Sequence, residues 1–140
     1  MNNEDYQKDV FMLVLSLFGK IYGKTFLQKF FFILEEEGLP KLNLEYIPYH
    51  YGPFSRKLDE LIKKLKAENL IKEEVTFTKN FNICRTFKLT PNGEKLINND
   101  SKLVQQIAPF VNEFQGMLPS NILKYVYEKY PKMTINSVLI

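Results

Sequence analysis

The sequence predicts a mainly helical α+β fold with one small β-sheet, and three observations predict it. Several segments repeat apolar residues at helical spacing. Two adjacent runs, Ile71 to Phe77 and Ile83 to Leu89, are rich in β-branched and aromatic residues with turn residues between them. A chain of 140 residues is long enough to bury a real core in one domain without disulfide or metal staples.

The elements follow in order. A first helix is expected from about Asn3 to Phe18, ending at Gly19. Its apolar run Val10 to Phe18 is far shorter than the ~20 residues of a membrane span, and its start is acidic, unlike a signal peptide. A second helix starts near Lys24-Thr25 and ends at Gly38. Phe26, Leu27, Phe30, Phe31, Ile33 and Leu34 cover more than a stripe of it, so it must pack on several neighbours. From Leu39 to Pro48, Leu42, Leu44 and Tyr46 alternate with Lys41, Asn43 and Glu45, the period of a half-buried strand. The cleanest amphipathic helix runs from Pro53 to Asn69, with Leu58, Leu61, Ile62 and Leu65 on one face. The two strands come next, with Thr78-Lys79-Asn80 as their turn. Thr90 caps a short helix that has Pro91 at its first position. Helices over Ser101 to Gln115, with Pro109 as a kink or break, and over Ser120 to Tyr130 close the chain.

A charged helix followed at once by a hairpin is the pattern of a winged helix-turn-helix. The expected division is a winged-helix domain over 1–100 and a helical C-terminal extension over 101–140. The extension either packs on the domain or forms a dimer interface. The apolar end Val138-Leu139-Ile140 is expected to pack on something.

Several pieces of sequence resemble a known group. They are K-T-F-L-Q-K-F-F-F-I-L (Lys24 to Leu34), Y-H-Y-G-P-F-S-x-x-L (Tyr49 to Leu58), Leu70-Ile71, L-T-P-N-G (Leu89 to Gly93) and Y-V-Y-E-K-Y-P (Tyr125 to Pro131). Together they resemble small archaeal and bacterial winged-helix proteins of the uncharacterised YwgA-like kind. More distantly they are similar to the Panacea (SocA-like) antitoxin domain. The resemblance implies a DNA-binding regulator or an antitoxin-like adaptor with a protein partner such as a toxin.

The net charge of +3 is compatible with nucleic-acid binding. On the third helix Arg56, Lys57, Lys63 and Lys64 are expected to face solvent and touch double-stranded DNA. The alternative is a solvated helix with pairs Glu60–Lys64 and Asp59–Lys63. The wing offers Lys79 and Arg85. Phe77 and Phe81 flank its tip, expected to pack the hairpin down or else to stack on an exposed base. Lys24 and Thr25 open the second helix at its positive dipole end, an anchor for phosphate. Glu35-Glu36-Glu37 close it as an acidic end open to a basic partner. Excess apolar surface on the tail would suggest a homodimer.

The stretch Tyr49 to Ser55 holds the only histidine. Tyr49, His50, Tyr51 and Phe54 form either a structural corner or a small-ligand pocket. In an extended chain the two tyrosines face one side and His50 the other. Gly52 allows a bend, Pro53 presets a first helical turn and Ser55 is a second possible cap. A lone histidine without cysteine or carboxylate neighbours makes no metal or catalytic centre, and Cys84 is the only cysteine. No phosphate-binding glycine loop or nucleophile motif occurs, so no enzyme and no cofactor is expected, and the location is expected to be cytoplasmic.

Overall fold

The structure is a computed structural model that describes residues 3–77 and 79–138. It is built around one helix that is covered on every side. This helix, α2 (Lys24–Glu37), follows α1 (Asn3–Phe18) and the two-residue strand β1 (Ile21–Tyr22). Every residue from Phe26 to Leu34 is buried. Phe30 stands at the centre, edge-on to Phe18, Phe31 and Phe114 at 4.9, 5.7 and 6.1 Å between ring centres. Such pairs add about 0.5–1.5 kcal/mol each beyond the area they bury.

After α2 come a 3-10 turn (Pro40–Leu42) and a short hairpin of β2 (Ile47–Tyr49) and β3 (Gly52–Phe54). Helix α3 (Arg56–Ala67) leads into β4 (Ile71–Phe77) and β5 (Ile83–Leu89), and α4 (Pro91–Glu94) follows. The chain then forms α5 (Ser101–Phe114), α6 (Pro119–Lys129) and a last 3-10 turn (Pro131–Thr134). The larger sheet is antiparallel in the order β1-β5-β4, so the chain's first strand pairs with its last. The expected α+β class is what is found.

The extension packs on its own chain. Leu103, Ile107, Val111 and Phe114 of α5, and Ile122 and Val126 of α6, are buried, with α5 against α1 and α6 against α2. The buried part of the tail's apolar face thus serves the core of this chain, while Leu118 and Ile135 stay exposed. Helix α5 runs through Pro109 without a break. Val138 stays exposed, with its N–H on the His50 carbonyl at 2.9 Å, and Leu139 and Ile140 lie outside the described residues.

The segment Leu39 to Pro48 departs from expectation in a specific way. Burial alternates as the sequence suggests: Leu42 and Leu44 are buried, whereas Lys41, Asn43 and Glu45 are exposed. The backbone is nevertheless not a strand, because Asn43 (φ 52°) and Glu45 (φ 57°) are left-handed. Side chains replace the missing ladder. Gln7 Nε2 donates to the Leu42 carbonyl at 2.9 Å, and the Leu44 N–H donates to Glu35 at 2.7 Å. Only Ile47–Tyr49 is extended and paired, and there Pro48 lies opposite Pro53, two residues that need no ladder donor.

Candidate interaction surfaces

Three surfaces contain the residues singled out from the sequence: the outer face of α3, the β4–β5 hairpin and the β2–β3 corner. The corner is fixed by α2. A helix buried all round must also bury its polar residues, and Gln28 and Lys29 are both inside. Each finds backbone partners, as buried polar groups must. Gln28 Nε2 donates to the Ser55 carbonyl at 3.0 Å, and its Oε1 accepts from the Ser55 N–H at 2.9 Å. Lys29 Nζ donates to the Pro53 carbonyl at 2.8 Å. The Ser55 hydroxyl donates to the Leu44 carbonyl at 2.6 Å and accepts from the Leu58 N–H at 3.0 Å. Ser55 is therefore the N-cap of α3, and the helix starts at Arg56. Pro53 belongs to β3 rather than to a first helical turn. The signal for this latch was in the sequence: two polar residues inside an otherwise apolar helix.

The turn of the small hairpin is His50-Tyr51, with Tyr49 opposite Gly52 (φ 88°). Alternation across an extended chain does not apply in a turn, so His50 does not point away from Tyr49. It stacks on that ring at 4.3 Å. His50 remains exposed, and Tyr49 lies 5.2 Å from Phe54. Lys24, Thr25, Lys29, Tyr49, Tyr51 and Phe54 line a small cavity of about 180 Å³ between the start of α2 and this hairpin. His50 takes no part in it.

Burial pulls the Lys29 ammonium down from its ordinary 10.5 to about 8. Between those values the unfolded chain holds a proton that the folded chain lacks. Stability therefore rises with pH across this window. A gain of roughly 2 kcal/mol between about pH 8 and 9.5 is expected in urea unfolding, and Lys29→Met should flatten it.

On α3 Arg56, Glu60, Lys63, Lys64 and Lys66 are among the exposed residues, while Lys57 is half-buried. The within-helix pairs Glu60–Lys64 and Asp59–Lys63 are not what holds the charges. Lys64 pairs with Glu4 of α1, and Lys57 with Glu45 at 3.1 Å. Among the described residues Arg56 and Lys63, one ridge of the helix, have no carboxylate partner. Lys24 and Lys79 are likewise exposed without one. Thr25, beside Lys24, is half-buried at the cavity. Thus the cations expected to touch DNA divide into four without a partner and three, Lys57, Lys64 and Arg85, that carboxylates already hold.

The β4–β5 hairpin gives the largest departure. Phe77 and Phe81 do not pack down: they are 68% and 85% exposed, with Ile83 at 60% and Val75 at 50%. The register explains why. Residues opposite each other share a face, so Ile71, Glu73, Val75 and Phe77 lie on one face with Leu89, Phe87, Arg85 and Ile83. At its base this face is core, through Ile71 and Phe87. Next comes Glu73, clamped by Arg85 at 2.5 Å and by Lys66 of α3 at 3.1 Å. Beyond this ion cluster no helix continues under the hairpin, and the same face runs on apolar and uncovered. Arg85 is thus a clasp at the rim, not a free contact for phosphate. Thr78, expected in the turn, lies outside the described residues.

The acidic end of α2 is also occupied. Glu37 accepts from Tyr130 at 2.6 Å, from Tyr125 at 2.9 Å and from Lys129 at 3.0 Å. Burial pushes this carboxyl up, but those three donors outweigh it and hold it below the usual range. With Glu35 on the Leu44 N–H, two of the three glutamates serve the fold.

Among the described residues no group of three or more His, Cys, Asp or Glu is placed to hold a metal ion. No described helix is long and apolar enough to cross a membrane. No family model matches the chain, and no curated protein matches it.

Proposed function

We propose that the chain is a protein-interaction module of the adaptor or antitoxin type, built on a winged-helix arrangement and docking through its wing. The carrying observation is the uncovered apolar face of the β4–β5 hairpin: Val75, Phe77 and Ile83, with Phe81 at the tip. Exposed apolar residues are ordinary when scattered, but a contiguous set on a projecting hairpin marks an interaction surface. Its chemistry suits apolar side chains of a protein far better than a phosphate backbone. The state of the cations supports the same reading, since Lys57, Lys64 and Arg85 are already neutralised.

The test places a photo-crosslinking residue at Phe81 in the producing cell. A single discrete polypeptide adduct, lost in a Phe77→Ser, Ile83→Ser variant that unfolds at the parent's temperature, is the expected result. Both side chains are exposed, so each change should alter stability by about 0.5 kcal/mol or less. No adduct at the wing counts against the reading.

A second reading, a DNA-binding transcriptional regulator, is favoured by one observation. Arg56, Lys63 and Lys79 are exposed and carry no carboxylate partner among the described residues, with Lys24 beside the hairpin corner. Fluorescence anisotropy of a labelled random duplex separates the two. Three phosphate contacts would give a log–log salt slope of about −3, and Arg56→Ala with Lys63→Ala would cut it to about −1. Absence of binding at low salt removes this second reading.

A further inference from the structure

The cavity at the start of α2 is separate from the wing and does not depend on it. Its floor holds an ammonium with an unusual environment. Lys29 is only 3% exposed, and Pro53 accepts one of its three N–H groups. Among the described residues no carboxylate lies within 4.0 Å of it. A buried cation without a counter-charge is costly. The titratable groups that share its surroundings are Lys24 from α2, Tyr49 and Tyr51 from the hairpin, and Tyr127 from α6. None of these is a carboxylate. Beside the ammonium, α2 begins at Lys24, and its N-cap Gly23 supplies no side-chain cap. The two ammonium groups and the helix dipole at this end of the cavity therefore share one sign, with the Pro53 carbonyl as an acceptor on Lys29.

The walls differ in kind. Tyr49, Tyr51 and Phe54 supply aromatic surface. Gly52 keeps the space open, because a Cβ there would stand 3.2 Å from the Tyr127 ring and 3.7 Å from Lys29 Cε. A volume of about 180 Å³ is below that of drug-sized sites and suits one ring or a short chain. Bare phosphate would leave the aromatic walls unused.

We propose that this cavity binds a small organic carboxylate, with its oxygens on Lys29 and the start of α2 and its hydrocarbon part against Tyr49, Tyr51 and Phe54. The probe is benzoate, titrated into the full chain at pH 7 and followed by amide NMR, with inorganic phosphate as competitor. Saturable shifts confined to residues 24–29 and 49–54, with a Kd on the order of 1 mM, are expected. Lys29→Met should weaken binding at least about tenfold, and Tyr51→Ala severalfold. Tyr51 is half exposed and not part of the latch, so this second variant keeps the test decisive if Lys29→Met does not fold. The proposal is overturned by shifts that do not saturate or that map elsewhere, or by unchanged affinity in either folded variant. Displacement of benzoate by equimolar phosphate also overturns it, because the site would then read charge alone.

Discussion

Gln28→Leu is expected to destabilise the protein by about 2–5 kcal/mol, although leucine suits a buried helical position. The carboxamide is the partner of both backbone groups of Ser55, at 2.9 and 3.0 Å, and Ser55 is fully buried. Leucine leaves a buried N–H and a buried C=O unmade, at roughly 1–3 kcal/mol each. The loss does not stop at Ser55. Its hydroxyl caps α3 and also binds Leu44, so the start of α3 and the connection from α2 loosen together. Urea unfolding should show a lower midpoint with an unchanged slope, the mark of a native state that has lost bonds without changing compactness. Ser55→Ala, which removes the cap but keeps the backbone pair, should cost less, about 1–2 kcal/mol. If the two variants cost the same, the carboxamide is not the latch.

This latch also shows what the sequence can and cannot disclose. Periodicity locates the helices and the β4–β5 hairpin well, because each is a local pattern. It cannot place β1, since its two residues, Ile21 and Tyr22, carry no period and pair only because β5 arrives beside them. For Leu42 and Leu44 it reports burial correctly and geometry wrongly. Alternating burial needs only alternating environments, which left-handed Asn43 and Glu45 supply without a strand. The exposed face of the β4–β5 hairpin escapes for a different reason. Period two states that Val75, Phe77 and the residues opposite share a face with Ile71 and Phe87, but not how far the helices extend beneath them. The ion pairs that occupy Lys64 and Arg85 join residues 60 and 12 positions apart, beyond any local rule. The candidate cavity was half legible. Tyr49, Tyr51 and Phe54 stood out as a cluster, whereas Lys29 looked like one more helical lysine, and only the closure of neighbours around α2 makes it a buried cation.

Gly93→Ala is expected to cost at least about 3 kcal/mol, and a methyl group is its only change. A Cβ at Gly93 would lie 2.0 Å from the Leu70 carbonyl oxygen and 3.0 Å from its carbon. That oxygen cannot swing aside, because it belongs to the backbone entering β4 and accepts from the Thr90 N–H at 3.1 Å. Relief requires α4 to lift away, which breaks this bond and the cap from Thr90 to the Gly93 N–H at 3.0 Å. Overpacking alone costs about 1–3 kcal/mol, and the broken bonds add to it. For a chain of this size a melting point lower by roughly 10 °C follows. Gly38→Ala is the control. Its Cβ would come as close as 2.5 Å to an atom, but that atom is on the half-buried Phe110 ring, which can turn. A drop at position 93 well beyond that at position 38 shows that contact with a fixed backbone decides the cost. Equal drops would mean that α4 moves as easily as a side chain, and the β1-β5-β4 sheet would then be only loosely tied to the helices that follow it.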